Sequence, residues 1–387
     1  TACRRQRQMC IRDRLVLGGI LMTGIALTYV TPGGGIMEGL THVYNTVPER
    51  FSMILDKGEI ITPDGRDAYF DLPGIAVLIG GMWIANTYYW GFNQYIIQRT
   101  FAAKSLDEAQ KGIAFAAFLK LIIPIFVVLP GIIAYVINLD PSTGELVKTL
   151  PEGFISQDGK ILNDNAAPWL IKNYIPVGIK GLILAALAAA IVSSLASMLN
   201  STSTIFTMDI YKEYINKNAS DKILVKVGRI VVIISLLIAM LIAPAFGNLG
   251  QVFQAIQEYT GVVSPGILAV FIMGLFYKKA TNNAAIWGIL LSIPIAMYFK
   301  VVPKGWIELF PSFSHGLFIG EIPFLHQMGI TFIITMIVIY IISYLEGNQN
   351  DPKGIELSKN LFETKPSFNI PAFAVLIITA MLYAIFW

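Results

Sequence analysis

The residues from Gly181 to Leu199 read GLILAALAAAIVSSLASML, nineteen consecutive positions without a charged side chain. A helix needs about 20 apolar residues to cross the hydrocarbon core of a bilayer, which is roughly 30 Å thick. The apolar positions here are continuous, whereas a strand of a membrane barrel would alternate apolar and polar residues. This stretch therefore predicts a membrane-spanning helix, which we place at Pro176–Leu199.

Similar runs recur along the whole chain. Hydrophobic residues make up 55% of the 387 positions and charged residues only 14%, with a mean hydropathy of +0.64. Soluble domains carry about 25% charged residues, so these values exclude an ordinary soluble globule. We predict an all-α, polytopic protein of the cell membrane with about nine spans, each close to the length that a bilayer requires. The other predicted spans are Leu15–Val30, Leu72–Ile97, Gly112–Ile137, Val227–Pro244, Gln251–Tyr277, Ala284–Phe299, Gln327–Leu345 and Ile370–Trp387.

Glycine and proline residues fall inside several of these spans. Proline removes a backbone donor and kinks a helix, so we expect interruptions at Gly91, at Pro124 and Pro130, and at Gly261 with Pro265. Such breaks are common in membrane helices and often have no function. In transporters they also place unwound backbone beside a substrate.

The first fourteen residues differ from the rest. Thr1–Arg14 reads TACRRQRQMCIRDR and contains both cysteines of the chain. We expect a non-native tail and leave it out of fold reasoning; a basic cytoplasmic stub is the alternative. The chain has no initial methionine and runs almost directly into a hydrophobic segment, so we also expect an N-terminal truncation. The remainder has no cysteine and therefore no thiolate metal site, and without the basic tail its charge does not indicate nucleic-acid binding.

Lys120 is the most informative polar residue at membrane depth. A lysine near the centre of a membrane helix costs roughly 2.5–3.5 kcal/mol on insertion scales. One interpretation is that it reaches back to the nearer interface. The other makes it an internal hydrogen-bond donor to ligand hydroxyls.

Two further groups of side chains suit a sugar. Asn86, Tyr89 and Trp90 are spaced i, i+3, i+4, so they share one face of a helix; an amide bonds hydroxyls, and aromatic rings stack on a sugar ring. Phe253 and Gln257 form a second pair, at i, i+4, and could roof a site that opens to the outside. Tyrosine and tryptophan also mark the membrane interface, and a position near that interface would explain the polar Gln257.

Ala190, Ser193 and Ser194 again share a helical face. Sodium is a hard cation that prefers oxygen ligands, as calcium and magnesium do, and two hydroxyls with one backbone carbonyl can supply three. Small residues also let membrane helices pack closely, so close packing is the competing interpretation. His42, His315 and His326 are scattered, and the sequence contains no soluble-enzyme motif, so we do not expect an enzyme or an organic cofactor.

Longer motifs surround these residues: LPGIAVLIGG from Leu72, YYWGFNQYIIQR from Tyr88, AAAIVSSLASMLN from Ala188 and FTMDIYK from Phe206. With Ala102–Lys104 and Gln257–Gly261 they resemble the sodium/solute symporter family, and within it the bacterial members that cotransport galactose or glucose. The resemblance extends over about Leu15–Trp387. It implies a LeuT-like fold of two inverted five-helix repeats.

The resemblance also implies roles for the residues singled out above. Tyr89 would be an aromatic gate on the inner side of the sugar, and Phe253 part of an outer hydrophobic gate. Ala190, Ser193 and Ser194 would form half of a sodium site. The implied sugar-binding residues are Asn86, Tyr89, Trp90, Lys120, Phe253 and Gln257.

The same resemblance predicts the domain organisation. Residues 15–30 would be a remnant of the fifth core helix, 31–71 an external loop, 72–277 the second repeat, and 278–387 three peripheral helices. We expect sodium-coupled symport of a monosaccharide, with Asn86, Lys120 and Gln257 turned onto one pocket. The alternatives are symport of inositol, an amino acid or a vitamin, a sugar sensor that does not transport, and a channel; the joint presence of these three side chains favours a sugar.

Overall fold

The computed structural model describes residues 2–387 except 63, 64, 66, 148, 149, 152, 156–160, 247–251, 302–321, 348, 351–353, 355, 356 and 358–362. In this part of the chain the protein is all-α, and β structure is confined to isolated bridges such as that between Leu55 and Pro73. The described α-helices are α1 (Ala2–Val30), α2 (Ile36–Thr46), α3 (Ala76–Ile79), α4 (Gly81–Thr87), α5 (Gln94–Ile97), α6 (Leu106–Val127), α7 (Leu129–Ile137), α8 (Ala166–Tyr174), α9 (Val177–Ile205), α10 (Asp221–Ile242), α11 (Val252–Phe276), α12 (Asn282–Val301), α13 (Phe324–Leu345) and α14 (Pro366–Ile385).

Most of the predicted spans are confirmed as helices. Among the described residues, seven helical stretches are long and apolar enough to cross a membrane. They correspond to the predicted spans from Gly112 onward, while the first predicted span forms the apolar part of α1, Val16–Val30. The predicted start of the sixth span, Gln251, lies outside the described residues. The seven are Leu106–Ile137, Val177–Ile215, Asp221–Phe246, Val252–Phe276, Asn282–Lys300, Phe324–Leu345 and Pro366–Ile385.

The second predicted span, Leu72–Ile97, is interrupted, and the interruption expected at Gly91 is confirmed. It is divided into α3, α4, a π-helical turn at Tyr88–Phe92 and α5. Gly80 leaves helical geometry between α3 and α4, with ψ of −128°, and Asn93 is extended. Gly91 lies within the π turn, so the helix is widened there.

The prolines act differently from one span to the next. Pro124 lies inside α6, which continues past it to Val127. The helix is interrupted at Val128, and Pro130 lies in the first turn of the next helix, α7. The interruption predicted at Gly261 and Pro265 is wrong, because α11 runs through both residues. Proline is tolerated in membrane helices where the surroundings satisfy the freed backbone groups.

The segment predicted as an external loop, 31–71, contains helix α2. Its first turn is stabilised by Glu38, whose Oε2 accepts a hydrogen bond of 2.8 Å from the Gly35 backbone. Gly39 lies directly on α1, since a Cβ there would come within 2.1 Å of the Leu27 carbonyl oxygen. A helix of eleven residues is too short to show the apolar run by which we recognised the spans, which explains why the sequence did not predict it.

The described chain divides into two compact units. The first comprises residues 1–51 and 113–252. Helix α1 packs on α9, where a Cβ on Gly18 would be 3.6 Å from the Ala186 Cβ. A second contact places the Arg50 guanidinium 4.7 Å from the centroid of the Tyr135 ring. The buried core of this unit includes Ala26, Leu27, Val43, Ile133 and Leu170.

The second unit comprises residues 52–112 and 253–387. Helix α4 lies against the start of α13, and Gly81 makes this possible: a Cβ there would come within 2.1 Å of the Leu325 carbonyl oxygen. Trp83 also meets Phe332 edge to face, with 5.3 Å between ring centroids. The core of this unit includes Val77, Ile84, Leu268, Leu325 and Ile339.

A polar cluster joins the start of α12 to the end of α13. The Glu346 carboxylate accepts hydrogen bonds from the Thr281 hydroxyl and from Asn283 Nδ2, the latter at 3.0 Å. Thr281 Oγ1 also accepts from the Ala284 backbone at 3.2 Å and so caps α12. These bonds favour the ionised form of Glu346 and lower its pKa below the ordinary value;.

We expect Glu346→Gln to lower the melting temperature of the detergent-solubilised protein at pH 7. A carboxylate with a depressed pKa stabilises the fold fully above the ordinary glutamate pKa of about 4.3, and the stabilisation is lost as the pH falls through the folded-state pKa. The difference between variant and parent should therefore shrink as the pH falls below the ordinary glutamate pKa and through the lower folded-state pKa. Glu145→Gln, in an exposed segment, is the matched control. A difference that stays constant with pH would contradict this account.

Candidate substrate and sodium sites

The first group of predicted site residues lies in the second unit, at the change from α4 to the π turn. Asn86 is exposed, and its Nδ2 donates to the Met82 carbonyl at 2.9 Å. Tyr89 and Trp90 meet edge to face, with 5.1 Å between ring centroids. A π turn is rare and occurs often at functional sites, so this part of the chain differs from an ordinary packing helix.

A second tyrosine contacts the predicted inner gate. The hydroxyls of Tyr89 and Tyr95 are joined by a hydrogen bond, and their rings pack edge to face at 5.8 Å. The Tyr89–Trp90–Tyr95 cluster holds polar and aromatic atoms side by side. Ring faces with nearby hydroxyl groups can stack on the apolar face of a sugar and bond its hydroxyls.

Phe253 and Gln257 lie in the first two turns of α11, as the spacing predicted. Phe253 is 73% exposed and Gln257 is half-buried. The helix start is anchored by Gln254, whose Nε2 donates to Asp71 Oδ1 at 3.3 Å. This part of α11 therefore presents one large apolar side chain and one amide from a tethered helix end.

Lys120 lies in the first unit, fifteenth in α6, with an exposed side chain. The preceding charged residue, Lys111, is about 13 Å away along the helix axis at 1.5 Å per residue. This separation exceeds the reach of a lysine side chain. Both interpretations of Lys120, a reach to the nearer interface and donation to a ligand, stay open.

Ala190, Ser193 and Ser194 lie on α9 in the first unit. Ser193 is buried with 6% exposure, whereas Ser194 is exposed and Ala190 is half-buried. The Ser193 carbonyl accepts a bond of 3.1 Å from the Ser197 hydroxyl. Ser193 continues the stripe of Ile183 and Ala186 that packs on α1, in line with the packing interpretation. Ser194, the next residue of the helix, is exposed.

The predicted residues thus fall into two sets. Asn86, Tyr89, Trp90, Phe253 and Gln257 belong to the second unit, and Lys120 belongs to the first with the serine pair. The Asn86 amide donates to Met82 on its own helix. The expected convergence of Asn86, Lys120 and Gln257 on one pocket stays a prediction.

The sequence did not predict an ion pair that lies close to Gln257. Lys300 Nζ is 3.4 Å from Glu258 Oε2, and both side chains are mostly buried, at 19% and 17% exposure. They line an open cavity together with Gln327, whose Nε2 donates to the Ile322 carbonyl at 2.6 Å. The sequence held one signal, since Gln257-Glu258-Tyr259 is unusually polar for a membrane span, but the partner on α12 is far away in the chain.

Comparison with known proteins agrees with these features. The sodium:solute symporter family matches residues 12–292. The chain is 52% identical over 379 residues to the sodium/glucose cotransporter of Vibrio parahaemolyticus, covering 96% of this chain and 64% of that protein. It is 37% identical to the sodium/myo-inositol cotransporter 2 of Oryctolagus cuniculus, covering 76% of this chain and 44% of the relative. The chain thus spans less than two thirds of the length of these relatives.

A solved structure is also similar. The substrate-bound, outward-open structure of a Na⁺-coupled sialic acid symporter matches with a TM-score of 0.62 and 25% identity, over 86% of this chain and 60% of that one. The described chain is accordingly an integral membrane protein with a partial LeuT-like inverted-repeat fold, and its relatives are transporters, not enzymes. On the extent of the family match and of the identity to the Vibrio protein, this chain belongs to the sodium:solute symporter family.

Proposed function

We propose that the protein carries out sodium-coupled symport of a monosaccharide of the galactose or glucose type by alternating access. The observation that carries this proposal is the 52% identity to a sodium/glucose cotransporter over 96% of the chain. The chemistry of Asn86, Tyr89 and Gln257 supports it, because amides and aromatic rings suit a neutral, hydroxyl-rich solute. We assign residues 72–277 to the second repeat and 278–387 to peripheral helices.

In this proposal, coupling is a linkage between two sites. Two ligands that stabilise the same state of a protein must raise each other's affinity by the same factor. Sodium at Ala190, Ser193 and Ser194 would favour the state in which the pocket binds sugar. Asn86, Lys120 and Gln257 would then donate to sugar hydroxyls, Phe253 would close the outer side, and Tyr89 beside Trp90 would turn aside for release.

The test is uptake into proteoliposomes that contain the complete gene product. With sodium outside only, radiolabelled galactose or glucose should accumulate above its external concentration, and potassium in place of sodium should abolish accumulation. A sensor that binds sugar without moving it would give neither accumulation nor counterflow. Accumulation or counterflow that does not depend on sodium would contradict the proposal.

Symport of inositol is the second candidate, because the chain is 37% identical to a sodium/myo-inositol cotransporter. The same vesicles distinguish the two. Sodium-driven uptake of myo-inositol that is not inhibited by galactose or glucose would replace the hexose with inositol. If galactose or glucose inhibits uptake at a lower concentration than myo-inositol does, the hexose remains the proposed substrate.

The proposed sodium ligands lead to a direct prediction. We expect Ser194→Ala to raise the sodium concentration for half-maximal uptake by about tenfold, the equivalent of about 1.4 kcal/mol, because one oxygen ligand is lost. Thr202→Ala is the control, since Thr202 lies on the same helix and bonds the Met198 carbonyl at 3.0 Å. An unaltered sodium curve would remove Ser194 from the site and favour a packing role for this face.

A further inference from the structure

Two contacts from one lysine join the beginning of α11 to the end of α12. Lys300 Nζ lies 3.4 Å from the Glu258 carboxylate and 4.0 Å from the centroid of the Tyr259 ring. The ion pair is largely shielded from water. Exposed pairs contribute little to stability, but a shielded pair that loses one partner leaves a charge without compensation. Lys300 is therefore a strong constraint on these two residues.

The constrained residues follow Gln257 directly. Consecutive residues of a helix are rotated by about 100° around its axis, so fixing Glu258 and Tyr259 also fixes the direction in which Gln257 points. The bond from Gln254 to Asp71 holds the preceding turn along the axis. The Lys300 contacts act on the turn that carries Gln257 itself, one turn further along α11.

We propose that Lys300 is a positioning residue for substrate binding, which sets the rotation of the first turns of α11 and so aims the Gln257 amide. The inference rests on the proposed function, in which Gln257 bonds a sugar hydroxyl. Lys300 itself lies on α12, a helix assigned to the periphery, and its partners among the described residues, Glu258 and Tyr259, are not proposed to bind sugar or sodium. Its effect on sugar would therefore be exerted through α11.

The test is the kinetics of sodium-driven galactose and glucose uptake by the complete gene product. We expect Lys300→Gln to raise the sugar concentration for half-maximal uptake by about tenfold. The maximal rate per folded transporter and the sodium concentration for half-maximal uptake should stay near the parent values. Lys300→Arg should retain parent kinetics, since arginine keeps the charge and also stacks on aromatic rings. Lys278→Gln, which removes an exposed lysine before α12, is the matched control.

A purely structural role predicts a different result. It would lower the amount of folded protein and the maximal rate while leaving the sugar dependence unchanged, and that outcome would overturn the inference. Recovery of the sugar dependence in the exchanged pair Glu258→Lys with Lys300→Glu would support it. If Lys300→Gln does not fold, the inference is tested with Tyr259→Leu and Tyr259→Phe. Only the leucine variant removes the ring under the ammonium, so only that variant should raise the sugar concentration for half-maximal uptake. No sodium-driven sugar uptake by the parent would instead refute the proposed function, and this inference with it.

Discussion

Lys120→Ala is expected to reduce sodium-driven uptake of galactose or glucose at low sugar concentration by on the order of 10- to 100-fold. A hydrogen bond to a charged group contributes about 1.5–3 kcal/mol, and each 1.4 kcal/mol changes affinity about tenfold. Alanine removes all three donors of the ammonium from a position where a lysine is costly to place in a membrane helix. Initial rates of radiolabelled sugar uptake into proteoliposomes, corrected for the amount of inserted protein, would measure the change.

Two variants separate a ligand contact from a role at the membrane surface. Lys120→Met keeps the length of the apolar stem without the charge, so it should lose uptake as alanine does if the ammonium bonds the sugar. If Lys120 only reaches for the interface, methionine should transport like the parent. Lys104→Ala, at an exposed loop position, controls for the loss of a positive charge. Unchanged uptake in the alanine variant would remove Lys120 from the site.

Gly81→Val should prevent stable packing of α4 on α13 and reduce the yield of folded protein. Even the first carbon of a side chain would be 2.1 Å from the Leu325 carbonyl oxygen and 2.8 Å from its carbon. Both are backbone atoms of a helix and cannot move as the end of a side chain can. Overpacking costs typically 1–3 kcal/mol, and valine adds two methyl groups beyond that carbon. The measurement is thermal unfolding in detergent followed by size-exclusion chromatography.

Gly274→Ala is the matched control for this prediction. Gly274 lies within α11, and a Cβ there meets no atom within 4 Å. Alanine has a higher helix propensity than glycine by about 1 kcal/mol, so this variant should be as stable as the parent or more so. A Gly81→Val protein with the melting temperature of the parent would show that α4 does not approach α13 so closely in the membrane.

The candidate site shows which of its features residue spacing can predict. The spacing of Asn86, Tyr89 and Trp90 identified a polar and aromatic group, because all three residues belong to one helical segment. The π turn and the Tyr95 contact depend on how that helix ends, and neither is visible in a spacing rule. The serine pair has two interpretations in the sequence, and both stay open: Ser193 is buried on the same face as Ile183 and Ala186, and Ser194 is exposed.

The sequence alone determined that this is an all-α membrane protein and where most of its spans lie. The hydrocarbon core of the bilayer requires a minimum length and an apolar surface of each span separately. Both properties can therefore be recognised from consecutive residues. Only the tertiary structure decided that Leu72–Ile97 also breaks at Gly80, that Gly39 and Gly81 lie on neighbouring backbones, and that Lys300 holds Glu258. Each of the close contacts joins residues distant in the chain, and its geometry depends on how whole helices pack.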